Sequence, residues 1–76
     1  MPIAYVLINT EPGKEKNCFN EINKIQNVIS AYLVYGFYDL VTIVETSNVR
    51  ELNDSLKKIR DNKNVVTTET MPVIES

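Results

Sequence analysis

The chain has 76 residues, with 8 Lys and Arg against 10 Asp and Glu, no His and one Cys. This length allows a single domain, over residues 1–76, and excludes a two-lobed enzyme, while the Cys and His counts exclude an intrachain disulfide and a structural zinc site. The net charge of -2 lacks the basic surface that nucleic-acid binding requires. No apolar run is long enough to span a bilayer and no secretory leader is recognisable, so we expect a cytosolic protein without a membrane partner.

The first two predicted elements are a strand and a helix. Residues 3–9 form a continuous apolar and β-branched run that ends in turn residues, which predicts a strand with two apolar faces. From residue 14 to about residue 26 the spacing becomes helical, with polar residues around one apolar stripe. That stripe consists of Cys18, Phe19, Ile22 and Ile25. Since no His is present to activate Cys18, we interpret this thiol as a small core side chain.

Two further strands are predicted on either side of Gly36. Residues 28–35 and 37–45 are both rich in β-branched and aromatic residues. Strands separated by so short a connection must pair as an antiparallel hairpin, and we expect Gly36 to supply a positive φ at the reversal.

The last two elements are again a helix and a strand. Asn48, followed three residues later by Glu51, resembles a capping box at the start of a helix that should end near residues 61–62. Residues 65–74 predict the final strand. Pro72 cannot donate a ladder hydrogen bond, so this strand belongs at an edge of the sheet or at a bulge.

The order βαββαβ predicts an α+β, ferredoxin-like fold with a four-stranded antiparallel sheet and both helices on one face. A monomer would normally make the uncovered face polar, but the first and third strands carry apolar residues on both sides. Such a patch exceeds what soluble monomers usually expose. We therefore expect a homodimer in which the sheets of two copies cover each other.

Asp39 is the most informative candidate site residue, because it is a carboxylate within an otherwise apolar run and requires a hydrogen-bonding or cationic partner. It either binds a ligand or caps the hairpin through nearby amides. Gly36 is either a simple turn residue or a point of close backbone approach. Thr68 and Thr70 share one face of the last strand, where they are either solvated strand formers or donors to a carboxylate.

Catalysis has little support in this sequence. Without His, acid-base chemistry would depend on Asp, Glu, Lys or Tyr, and no pair of these stands at a telling spacing. The carboxylate clustering needed for a metal site is also missing. We expect a protein that is not an enzyme, with no catalytic residues, no metal site and no cofactor.

With this layout in hand, the sequence resembles the ligand-binding domain of Lrp/AsnC transcriptional regulators over nearly the whole chain. The resemblance rests on the opening A-Y-V-L-I-N at 4–9, the hairpin A-Y-L-V-Y-G-F-Y-D-L at 31–40 and the V-x-x-T-x-T pattern of Val65, Thr68 and Thr70. Members of that family carry a helix-turn-helix domain before this one. We expect the present chain to be a stand-alone form of the domain.

The resemblance implies sheet-paired dimers that assemble into a ring, such as an octamer or decamer, and that bind a small effector, typically an amino acid, between dimers. The implied role is transcription regulation or amino-acid sensing, alone or with a full-length Lrp/AsnC paralogue, without direct nucleic-acid contact. The implied ligand-binding residues are Leu33, Tyr35, Gly36, Tyr38, Asp39, Thr68 and Thr70. Two departures from the family pattern are Asn64, where Gly is common, and Pro72 within the last strand.

Two other classes remain as alternatives. Small ferredoxin-like proteins also form dimeric α+β barrel enzymes of small-molecule metabolism, which need an enclosed pocket in each protomer. The G-F-Y-D-L-V segment at 36–41 is weakly similar to the stacking strand of RNA-recognition modules, but it lacks their basic residue and their charge.

Overall fold

The computed structural model describes residues 1–75 and contains four strands and two helices. The elements in chain order are β1 (Ile3–Thr10), α1 (Glu15–Ile22), β2 (Val28–Leu33), β3 (Leu40–Glu45), α2 (Val49–Arg60) and β4 (Val65–Pro72). The strands form one sheet in the order β2-β3-β1-β4, and every neighbouring pair is antiparallel. The predicted ferredoxin-like fold is confirmed.

The core lies between one face of the sheet and both helices. Strand β1 turns Ala4, Val6 and Ile8 into this core, where each is at most 1% exposed. The two helices contribute the buried residues Cys18 and Ile22 from α1 and Leu52, Leu56 and Ile59 from α2. Because all of these residues form a single cluster with Leu40 and Val44 of β3, both helices cover the same side of the sheet.

The start of α2 confirms the predicted capping interaction. The side-chain oxygen of Asn48 accepts a hydrogen bond from the backbone N–H of Glu51 at 2.9 Å, and the Glu51 carboxylate accepts one from Ser47 N–H at 3.1 Å. This reciprocal pair satisfies N–H groups that have no partner within the helix. At its other end, α2 stops at Arg60, close to the predicted boundary.

Helix α1 is shorter than predicted, because it ends at Ile22 rather than near residue 26. Beyond it the chain continues in tighter turns, with Ile25 N–H donating to Ile22 C=O at 3.0 Å, and then reverses at Asn27, whose φ is 78°. Ile25 still packs against the core. The apolar stripe therefore continued past the end of the helix and made the predicted helix too long.

The connection between β2 and β3 also differs from the prediction. The strands end at Leu33 and resume at Leu40, so residues 34–39 form a loop rather than a short turn. The antiparallel pairing and the positive φ of Gly36, at 109°, are confirmed. Tyr35 and Phe37 are almost completely exposed, so their strand-like composition does not reflect sheet pairing.

Strand β4 occupies the edge predicted from Pro72, which is its last residue and lies opposite Ala4. The strand ends there, two residues before the predicted boundary. At the other end of β4, the neighbouring Asn64 is buried and has a negative φ, so this departure from glycine introduces no left-handed backbone. Within residues 1–75, neither helix has the length and apolar character to cross a membrane.

Candidate functional site

The loop at residues 34–39 is an exposed apolar feature beside a carboxylate. Leu33, at the end of β2, is 48% exposed, and Tyr35 and Phe37 project fully into solvent. The loop is closed by a hydrogen bond from Val34 N–H to Asp39 C=O at 2.9 Å. Gly36 lies at its tip, where open space surrounds the position of a Cβ atom. The backbone at this tip is accessible to a ligand or to another chain.

Asp39 fixes the base of this loop against the end of β1. Its Oδ2 accepts hydrogen bonds from the backbone N–H of Thr10 at 2.8 Å and from the Thr10 hydroxyl at 3.2 Å. The Asp39 N–H in turn donates to Ile8 C=O at 2.9 Å. The carboxylate thus has the capping role that the sequence left open, although its partner lies on β1 rather than in the hairpin. Because a carboxylate has about four acceptor positions, Asp39 retains capacity for a ligand.

The charge of Asp39 also influences Cys18, which lies beneath it in the core. Burial, followed by the charges of Glu21 and Asp39, raises the pKa of this thiol to about 11. At neutral pH the thiol is therefore protonated and unreactive. The structure supports the prediction that Cys18 is a core side chain.

Thr68 and Thr70 lie apart from the loop within a single chain. They are half-buried, and they pair with Ile8 and Val6 of β1, so their side chains are on the helix-covered side of the sheet. Their strand is separated from β3 by β1, which corresponds to about 10 Å at the usual strand spacing. One chain brings Leu33, Tyr35, Gly36, Tyr38 and Asp39 together, and it leaves the two threonines elsewhere.

No cavity of the single chain is lined by the predicted site residues among the two that the described residues form. One, of about 150 Å³, lies between α2 and the connection before β2 and includes Asn27 and Ser55. The other, of about 180 Å³, lies between the two ends of the chain and includes Ile3 and Val73. Both are open to solvent, so neither supplies the enclosed pocket that the barrel-enzyme alternative requires. Residues 1–75 contain no cluster of three or more metal-ligating side chains.

Sequence reasoning missed Thr10 and undervalued Phe37. Thr10 was interpreted only as part of a turn, and its bond with Asp39 joins positions 29 residues apart. No local pattern could have indicated this contact. Phe37 was interpreted as a packing residue, whereas it is 94% exposed. Its position directly after the glycine was the available signal, because loop tips tend to be exposed.

Comparison with known proteins agrees with this geometry. The family model described as the Lrp/AsnC ligand binding domain matches residues 3–76. The HTH-type transcriptional regulator FL11 of Pyrococcus furiosus is 30% identical over 73 residues, which cover 96% of this chain and 48% of that protein. The chain spans about half the length of the curated relatives it matches.

Two solved structures extend the comparison. The hypothetical protein PHS023 from Pyrococcus horikoshii has a TM-score of 0.92 at 35% identity, covering 100% of this chain and 93% of that chain. The feast or famine regulatory protein from M. tuberculosis, complexed with L-methionine, has a TM-score of 0.74 at 26% identity and covers 100% of this chain and 52% of that chain. The match therefore extends both to a protein of similar length and to one about twice as long.

Proposed function

Because the chain belongs to the Lrp/AsnC ligand-binding domain family, we propose that it binds a small effector, an amino acid, at a site between subunits, in the service of transcription regulation or amino-acid sensing. The observation that carries this proposal is the loop at residues 34–39. It presents exposed aromatic side chains beside a carboxylate, outside the cavities of the single chain. A similar regulator that is complexed with L-methionine supports an amino acid as the effector.

The chemistry of the loop fits the two charged groups of an α-amino acid. The ammonium needs an acceptor, and Asp39 has acceptor positions that its bonds with Thr10 leave unused. The ligand carboxylate needs donors, which the backbone amides around Gly36 can supply together with the hydroxyl of Thr68 or Thr70. Because these hydroxyls lie two strands from Asp39 in the same chain, they act from a neighbouring subunit in this proposal.

The effector side chain then contacts the apolar part of the loop. Leu33, Tyr35 and Tyr38 are the proposed lining residues, and Leu33 and Tyr35 expose surface that a single chain does not bury. Burial of this surface by an effector and a second subunit is favourable at about 25 cal/mol per Å² of apolar area. The same argument favours an assembly in which two sheets pair and dimers then join into a ring such as an octamer or decamer.

The proposed activity is binding rather than catalysis, with no cofactor. The curated relatives are named as HTH-type regulators, and this chain matches about half of each. Any effect on transcription would then pass through a full-length Lrp/AsnC paralogue in a mixed assembly, since this chain has a net charge of -2 and offers no basic surface for direct DNA contact.

Isothermal calorimetry with the standard amino acids tests the site. We expect at least one amino acid to bind the wild-type protein, and Asp39→Asn to weaken that binding by about tenfold or more, because the amide keeps an acceptor for Thr10 but loses the charge that pairs with the ammonium. Asp54→Asn on α2 is the matched control, since it removes one carboxylate from an exposed position far from the loop.

Each result bears on a different part of the proposal. Equal affinity of the wild type and Asp39→Asn would remove Asp39 from the site. Absence of binding by every amino acid would reject an amino-acid effector. Light scattering on the same samples measures the mass of the assembly, and a folded monomer at micromolar concentration would contradict an inter-subunit site.

A further inference from the structure

The uncovered face of the sheet carries negative charge and no positive charge. Glu45 and Glu69 have their side chains on this face, because they pair with Ile3 and Leu7 on the side of β1 that the helices leave open. All eight Lys and Arg residues lie on the helices or in loops. If a second copy covers this face with its own, it brings no cation to any carboxylate that becomes buried.

A buried carboxylate without a partner is strongly unfavourable, so a second copy must supply a neutral donor. The aromatic donors on this face are the hydroxyls of Tyr5 and Tyr32, whose side chains are 40% and 55% exposed. A phenol O–H forms a short and comparatively strong hydrogen bond with a carboxylate. The donor and acceptor groups of the face are therefore chemically complementary.

Their positions in the sheet distinguish the two tyrosines. Tyr32 pairs with Val41, Val41 pairs with Leu7, and Leu7 pairs with Glu69. These four residues form one row across the sheet, with Tyr32 on the edge strand β2 and Glu69 on the edge strand β4. Each lies about 7 Å from the midline between β3 and β1 at the usual strand spacing. Tyr5, in contrast, lies next to this midline and in the adjacent row.

A row with a donor at one end and an acceptor at the other is self-complementary. A two-fold axis parallel to the strands, midway between two facing sheets, places β2 of each copy over β4 of the other in the same row. Facing sheets are about 10 Å apart and cross at about 30°. A tyrosine and a glutamate side chain pointing toward each other span that separation.

We propose that the occupant of this face is a second copy of the chain, and that the Tyr32 hydroxyl of each copy donates a hydrogen bond to the Glu69 carboxylate of the other. This inference rests on the sheet-paired assembly in the proposed function and adds the residues that set its register. Leu7 and Val41 form the apolar centre of the interface, and the two reciprocal hydrogen bonds lie at its edges. Neither Tyr32 nor Glu69 belongs to the proposed effector site.

A double-mutant cycle on the full chain tests the pairing, with dimer dissociation constants measured by analytical ultracentrifugation. We expect Tyr32→Phe to weaken dimerisation by about tenfold or more in the wild type, because it leaves the carboxylate unpaired. In the Glu69→Met background, where that carboxylate is absent, Tyr32→Phe should change the dissociation constant by less than about threefold. Tyr5→Phe is the matched control, and it should change the wild-type value by less than about threefold.

The outcomes separate this pairing from the proposed function. A wild-type dimer whose response to Tyr32→Phe is the same with and without Glu69 would overturn the pairing and leave sheet-paired assembly intact. A larger effect of Tyr5→Phe than of Tyr32→Phe would overturn it as well. A wild-type monomer would overturn both the pairing and the inter-subunit effector site. Each variant changes an exposed side chain, and circular dichroism verifies that it remains folded.

Discussion

The two faces of the sheet have similar apolar residues but different surroundings. On the covered face, Val6 and Ile8 of β1 are at most 1% exposed, whereas Tyr5, on the opposite side of the same strand, is 40% exposed. Tyr32 and Met71 extend this open apolar surface toward both edges, at 55% and 45% exposure. The difference teaches that the sequence encodes more apolar strand surface than one chain can bury, which is typical of an interface.

Removal of a large side chain from the covered face should have the largest effect on folding. We expect Ile8→Ala to lower the free energy of unfolding by about 3 kcal/mol, because it leaves a cavity among side chains that both helices hold in place. Urea unfolding at one fixed protein concentration measures this. Ile8→Val, which removes a single methylene, should cost about 1 kcal/mol. A cost below about 0.5 kcal/mol for Ile8→Ala would show that the covered face is not the tightly packed one.

A charge on the uncovered face should instead act on assembly. Leu7→Lys introduces a cation at the centre of the proposed interface, and we expect it to weaken association by about a hundredfold or more, since burying an unpaired charge is costly. Light scattering at several concentrations measures the mass. Asn53→Lys, which adds the same charge to an exposed position of α2, is the control and should retain the wild-type mass. An unchanged mass for Leu7→Lys would break the distinction between the two faces.

The end of β1, where the strand meets the 34–39 loop, allows a smaller and more local test. Thr10→Val keeps the backbone donor to Asp39 and removes the hydroxyl donor at 3.2 Å. We expect a loss of about 1 kcal/mol in the free energy of unfolding, which is typical of one hydrogen bond. Thr67→Val, on the exposed part of β4, should cost less, because its hydroxyl bonds with the exposed side chain of Asn9. Equal costs would indicate that the Asp39 bond contributes nothing beyond a surface contact.

The smallest expected effect concerns Cys18 on the covered side. Burial raises the pKa of this thiol to about 11 from the model value of 9.0, so between these two values the folded protein retains a proton that the unfolded chain has lost. Unfolding then releases a proton, and stability decreases as pH rises from about 9 to about 11. Because lysines and tyrosines titrate in the same range, the measurement is the difference between the wild type and Cys18→Ala. That difference should be flat below pH 8 and should narrow or reverse above pH 9.

Much of the fold followed from local patterns. The β-branched run of β1 and the Asn48 cap with the apolar spacing of α2 gave these elements nearly as observed, because each pattern is satisfied within a few residues. The predictions for α1 and for the hairpin extended too far. Ile25 and Tyr35 carry the composition of a continuing element, but the chain turns away from regular structure at both positions.

The candidate site was less predictable than the fold. The sequence singled out Gly36 and Asp39, since a glycine and a carboxylate within an apolar run are unusual, and the resemblance to Lrp/AsnC regulators added the remaining positions. It did not indicate that Asp39 binds Thr10, or that Thr68 and Thr70 face the helix-covered side, two strands away. These facts depend on strand order and register, which join residues far apart in the chain.

By itself, the sequence determined the order of the elements, the apolar character of both sheet faces and the unusual chemistry around residue 39. Local hydrogen bonding and side-chain periodicity specify these features, so they can be read within a short window. Only the tertiary structure decided which face the helices cover, where the strands end and which side chains share a row. Those features arise when distant segments compete to bury apolar surface, and the outcome of that competition depends on the whole chain.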